Sequence, residues 1–167
     1  MEIRQLVPAD AAQMWRLRLE ALQRSPEAFA SSYEEARQKK HPIDEAEANL
    51  KAEGNFTFGA FDGDQLFGMV TMIHEQRIKL RHVANVYGMF ITPSQRGKGA
   101  GKALLLAVIE QARSIEGVEK INLSVVTANQ SAKKLYVGLG FETFGVERKA
   151  LKSSSGYADL EYMSLYL

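Results

Sequence analysis

The sequence predicts an α/β fold on three observations. Runs with strand character (Phe56 to Phe61, Leu66 to Ile73, His82 to Ile91, Ile121 to Val126) alternate with segments whose apolar residues recur at helical spacing. One of these strands runs into a glycine-rich turn and then a long amphipathic helix, between Val86 and Ile115. No internal repeat, low-complexity tract or linker interrupts the 167 residues, 46% of them hydrophobic, so residues 1–167 are read as one domain with a sizeable core.

Met1 to Val7 reads as a short strand closed by Pro8-Ala9-Asp10. In Ala11 to Arg24, Trp15, Leu19 and Leu22 mark a helical apolar face, with Arg16 and Glu20 off it. Ser25-Pro26 offers a cap and a first-turn proline for a short helix through Phe29. Ser31 to Lys40 is charged and reads as a solvated loop or helix. Pro42 to Ala52 returns to helical spacing and ends at Gly54.

The middle of the chain is strand-rich. Asp62-Gly63-Asp64 is a hairpin signal between the first two of these strands. Glu75 to Arg81 is a polar connection into the third, His82 to Ile91, where Gly88 interrupts the apolar run. A glycine there marks a bulge or relieves crowding. Beyond the glycine turn, Leu104, Leu105, Val108, Ile109 and Ala112 form a buried helical face that Glu116-Gly117 ends. Ile121 to Val126 alternates as a strand, Asn129 opens a helix through Tyr136, and Gly138-Leu139-Gly140 stops it. Glu142 to Leu151 and Tyr157 to Tyr166 are two further strands around Ser153-Ser154-Ser155-Gly156.

Composition narrows the chemistry. A net charge of +1 lacks the basic excess of a nucleic-acid binder. The absence of cysteine excludes disulfides and thiolate chemistry, and the three scattered histidines lack zinc-site spacing, so no metal is expected. No signal peptide or run of 18 apolar residues is present, and the expectation is a cytoplasmic protein without membrane contact.

The glycine turn carries the most chemistry. Gly97, Gly99 and Gly101 permit close backbone approach at a helix start, and Arg96, Lys98 and Lys102 surround the exposed amides with positive charge. Such an end attracts phosphate or pyrophosphate. It is not a Walker A loop: Ala103 follows Gly101-Lys102 and Arg96 stands five before Gly101. Nor is it a dinucleotide fingerprint, since position 102 is Lys.

What remains, Arg96-x-x-Gly99-x-Gly101 after Met89-Phe90-Ile91-Thr92-Pro93, resembles the acyl-CoA signature of the GCN5-related N-acetyltransferases. A second segment, Asn129-x-x-Ala132-x-x-Leu135-Tyr136-x-x-x-Gly140-Phe141, is similar to another motif of that family, in the right order and with room for one strand between. The resemblance implies a mixed sheet of about six to seven strands with a splayed central pair and about four flanking helices. It implies acetyl-CoA as donor, held by Met89, Phe90, Ile91, Arg96, Gly97, Lys98, Gly99, Ala100, Gly101, Lys102 and Asn129. In this picture Met89 and Ile91 pair with the pantetheine arm and the amides of Gly97 to Lys102 hold the diphosphate.

The same resemblance makes Tyr136 the proton donor to the departing thiolate; its alternative role is core packing. Asn129 is both a helix cap and a candidate contact. Oxyanion stabilisation falls to a backbone N–H near Met89. For a base, Ser124 replaces the glutamate of some relatives, leaving His74, Glu75, Tyr87, Asp159 and Glu161 as candidates. Phe29, Tyr33 and Glu34 are candidates for acceptor contacts. The tail from Glu147 resembles the phosphinothricin-type and ribosomal-protein-type branches, which implies an amine-bearing small molecule or peptide N-terminus as partner. A homodimer stays open, as does a catalytically idle acyl-CoA-binding sensor.

Overall fold

The computed structural model describes residues 1–167. In chain order the elements are β1 (Glu2–Gln5), α1 (Ala11–Arg24), α2 (Tyr33–Arg37), α3 (Pro42–Lys51), β2 (Asn55–Asp62), β3 (Gln65–His74), β4 (Val83–Ile91), α4 (Ala100–Ser114), β5 (Lys120–Val126), α5 (Gln130–Gly138), β6 (Glu142–Ser153) and β7 (Gly156–Tyr166). The strands form one sheet in the order β1-β2-β3-β4-β5-β7-β6. Every pairing is antiparallel except β4 with β5, which run parallel and pair only over Val83–Asn85 and Lys120–Asn122. Beyond Asn85 and Asn122 the two strands part, and the sheet opens into a wedge.

Two apolar cores cover the two faces of the sheet. On one, Leu104, Leu105, Val108 and Ala112 of α4 pack against Val70, Met72, Ala84, Val86 and Ile121. On the other, Leu17 and Ala21 of α1 pack against Leu6, Phe61, Leu66, Met69 and Phe90. The anticipated α4 face is buried throughout. The α1 face is rotated from expectation: Ala11, Leu17, Ala21 and Leu22 are buried, whereas Trp15 and Leu19 are only partly so. Small alanines carry the tight contact there, so a stripe traced through the largest side chains missed it.

Locally, Ser31 to Lys40 takes its helical reading, one expected cap is absent, and an unforeseen ion pair appears. The segment after Ser31 contains a fifth helix, α2, whose Ser32 accepts the Glu35 N–H in a capping box. Ser25 caps nothing; Pro26–Ala28 is a single 3-10 turn. Arg4 meets Asp10 through two hydrogen bonds of 2.7 and 2.8 Å, and Asp10 also accepts the Val7 N–H at 2.8 Å. The guanidinium holds the Asp10 carboxyl below the usual carboxylate range and ties β1 to the start of α1.

Gly88 is a bulge. Thr71 pairs with Tyr87 but Met69 with Phe90, so two steps along β3 face three along β4. Gly88 takes φ +63°, the left-handed region glycine tolerates. Side-chain parity flips across it: Ala84 and Val86 face α4, then Met89 and Ile91 do, and Phe90 enters the core beneath α1.

Candidate active site

The wedge between β4 and β5 is filled by two cavities. The first, of about 740 Å³, is lined by the end of β4, the glycine turn, the start of α4 and one side of α5. The second, of about 630 Å³, extends across α1, the 29–31 segment, α3 and the other flank of the wedge. Met89, Val126, Asn129, Ala132 and Tyr136 line both, so the two meet at the seam between the splayed strands and α5.

The glycine turn shapes the first cavity. Gly97 and Gly99 have φ of +77° and +84°, and a Cβ on either would meet nothing within 4 Å. Backbone conformation, not crowding, therefore selects glycine there. Gly101 is different: its Cβ would come within 3.2 Å of Leu135 and Met89, so glycine lets α4 lie close against α5 and β4. Gly99 precedes α4, and the first helical amide with an acceptor is that of Ala103, on the Gly99 carbonyl at 3.0 Å. The N–H groups from Gly97 to Lys102 donate to no group of the protein. Backbone donors, helix dipole and the Arg96 and Lys102 charges converge at one end of the cavity, a donor set that fits a diphosphate.

Arg96 is anchored as well as charged. Its Nε donates to the Ile91 carbonyl at 2.9 Å and its Nη2 to Ser25 Oγ at 3.3 Å. The Ile91 carbonyl expected to face a ligand is therefore already engaged. Thr92 N–H donates to Phe67 on β3, and strand direction alternates, so the Met89 and Ile91 main chain faces the opened side of the wedge. Phe90 borders the cavity while its ring packs in the α1 core. Ala100 is buried at the helix start; Lys98 turns away, donating to Gln95 at 2.9 Å, and does not line the cavity.

Tyr136 stands at the seam. It is buried, its ring meets Phe141 edge to face, and its hydroxyl makes no hydrogen bond within the protein. Burial pushes the phenol up from 10.0 to about 12, so it stays protonated through neutral pH. The resting phenol is thus a weaker acid than its ordinary value implied. Asn129 Oδ1 accepts the Ala132 N–H at 3.2 Å, capping α5 while lining both cavities. Lys133 on α5 pairs with Glu161 on β7 at 2.7 Å, and Thr143 donates to the same carboxylate; these contacts hold Glu161 below its usual range.

The base candidates disperse. Glu75 is bound to Arg77 and Asn85, Asp159 accepts the Lys149 amide, and Glu161 is committed to Lys133. His74 bonds the Arg81 carbonyl. Of the set, only Tyr87 lines the second cavity, where Ser124 also lies. Phe29 lines both cavities; Tyr33 and Glu34 line neither.

Sequence reasoning missed Arg18. It lies within the buried side of α1, beside Leu17 and three before Ala21, and lines the second cavity. The available signal was a cation inside the stripe of Met14, Leu17, Ala21 and Leu22.

Comparison with known proteins agrees with this architecture. The model of the acetyltransferase (GNAT) family matches residues 19–141. An L-amino acid N-acetyltransferase, AaaT, of Escherichia coli strain K12 is 32% identical over 103 residues, which span 62% of each chain. An acetyltransferase of the GNAT family from Streptococcus pneumoniae superposes with a TM-score of 0.88 over 99% of both chains at 24% identity. A putative acetyltransferase from Salmonella typhimurium, solved with its cofactor acetyl-CoA, gives 0.85 over 100% of this chain and 94% of its own at 20% identity. With the fold, the splayed parallel pair and the matched segment in agreement, the chain belongs to the GNAT family of acetyltransferases.

Proposed function

We propose that the protein is an acetyl-CoA-dependent N-acetyltransferase that moves an acetyl group directly to a primary amine of a small molecule or peptide. The observation that carries this reading is the meeting of two cavities at Tyr136: one ends in unpaired amides suited to a diphosphate, the other opens toward the opposite side of the wedge. The Salmonella neighbour with acetyl-CoA and the relative named as an amino acid acetyltransferase support the same donor and an amine acceptor.

The donor supplies an activated acetyl thioester. The amides of Gly97 to Lys102, with Arg96 and Lys102, bind its diphosphate; each net hydrogen bond is worth roughly 1 kcal/mol, more where charge assists. The Met89 main chain and the Ile91 N–H offer hydrogen bonds to the extended arm, and Asn129 borders the same path. An amide beside the Gly88 bulge offers a hydrogen bond to the carbonyl oxygen as charge builds there. The acceptor nitrogen enters as free base, bonds the acetyl carbon and sheds its extra proton to water, while the carbon–sulfur bond breaks. Tyr136 O–H donates toward the departing sulfur. At about 12 its pKa lies above that of a thiol, so the phenol steadies the leaving thiolate by a hydrogen bond and gives up its proton only against that gap.

Incubation with acetyl-CoA and a panel of primary amines, reading thiol release, tests this. Amine-dependent release is expected. Coenzyme A binding without release by any amine contradicts catalysis and leaves the idle sensor.

A further inference from the structure

Resting on the transferase reading above, we propose that the second cavity takes a small primary amine that carries its own carboxylate, and that Arg18 is the residue that binds that carboxylate.

Three observations carry this. First, Arg18 makes no ion pair: its Nη2 reaches only the Ser31 hydroxyl at 3.3 Å, and its guanidinium lies 5.0 Å from the Phe29 ring centre. The other formal charges lining the cavity, Lys39 and Glu45, pair with each other, so Arg18 leaves a net positive charge inside. Second, the guanidinium is partly stripped of water by its position in the α1 stripe; burial draws its pKa below the ordinary arginine value, and an anion would relieve that cost. Arginine presents a planar fork matched to a carboxylate. Third, the same cavity holds an unmet polar group: Asn55 lines it, and its buried Oδ1 finds no donor in the protein.

Met14, Trp15, Phe29 and Ile73 give the cavity an apolar side, with uncharged polar groups such as Thr57, Thr71 and Ser124 elsewhere in the lining, which suits an uncharged side chain. A cavity of about 630 Å³ that also reaches Tyr136 holds a molecule bearing amine and carboxylate together. A peptide N-terminus, whose nearest carboxyl is amidated, would leave the half-buried Arg18 without a charged partner.

The test compares free amino acids with their carboxamides, for example leucine and leucinamide, with kcat/KM expressed per free-base amine. Acids are expected to exceed amides at least tenfold, and Arg18→Gln to abolish that ratio while Arg18→Lys retains part of it. Unaltered coenzyme A affinity reports an intact fold in either variant. Amides turned over as well as acids, or a preference that survives Arg18→Gln, overturns the assignment. If the variant does not fold, the wild-type ratio alone decides. Thiol release with uncharged amines but not acids overturns Arg18 while sparing the transferase reading; release with no amine overturns both.

Discussion

The ring of Tyr136 meets that of Phe141 edge to face, with centroids 5.9 Å apart and planes inclined at 60°. Both residues are buried, and Phe141 directly follows the glycine that ends the α5 turn, with its N–H on the Tyr136 carbonyl at 3.1 Å. The contact fixes the phenol's ring and leaves its hydroxyl free of protein partners at the seam of the two cavities.

Tyr136→Phe keeps the ring and removes only the hydroxyl. Coenzyme A affinity is expected to stay within about twofold, and kcat to fall about tenfold or more, the range of a lost acid–base group. Paired calorimetry and steady-state kinetics check it. Unchanged kcat removes Tyr136 from the reaction.

Phe141→Ala empties a fully buried site of the main core. A stability loss of about 3–5 kcal/mol is expected from denaturant unfolding. Where the variant still folds, kcat should fall further than coenzyme A affinity, because the ring that orients Tyr136 is gone.

The rate should follow the acceptor's own ionisation. No histidine lines either cavity; of the carboxylates, Glu45 in the second is tied to Lys39, and Glu27 lines the first. Only the neutral amine attacks, so kcat/KM should rise about tenfold per pH unit up to the amine's pKa, about 7.7–8.0 for a peptide α-amine, higher for a free amino acid whose carboxylate stabilises the ammonium, and about 10.4 for a lysine-like amine. With Tyr136 raised to about 12, its ionisation imposes no fall below pH 10. A plateau well below the amine's pKa would reveal a protein base.

Asp10 gives an acid-stability test. Its carboxyl is held low by Arg4, so the stabilisation is complete above the ordinary value of 3.8 and is lost as pH falls through the lower folded value. Asp10→Asn is expected to cost about 2 kcal/mol at pH 7, the worth of charge-assisted hydrogen bonds. Urea midpoints should differ at pH 6 and converge below pH 3; a constant gap contradicts the ion pair as cause.

Much of the wedge was legible because its signals are local. Gly97, Gly99 and Asn129 announce a left-handed turn and a cap within a few residues of chain, and the strand-turn-helix order follows. The Gly88 bulge needed the β3 register to separate it from crowding relief. Arg18 and the α1 face were not legible: which side of α1 is buried depends on α3 and β3, distant in sequence. The partners of Glu161 and Glu75 were hidden for the same reason, since Lys133, Arg77 and Asn85 reach them by tertiary contacts. The engagement of the Ile91 carbonyl by Arg96 is likewise a side-chain choice no motif records.

The central claim is that the amides from Gly97 to Lys102 hold a coenzyme A diphosphate. Titration calorimetry of coenzyme A into wild type and Gly99→Val tests it most directly, because a β-branched residue at φ +84° distorts the turn and pushes a side chain into the space the ligand needs. The account predicts one site per wild-type chain and at least a hundredfold weaker binding to a folded variant. Absence of heat with folded wild-type protein, or equal affinity in both, contradicts it.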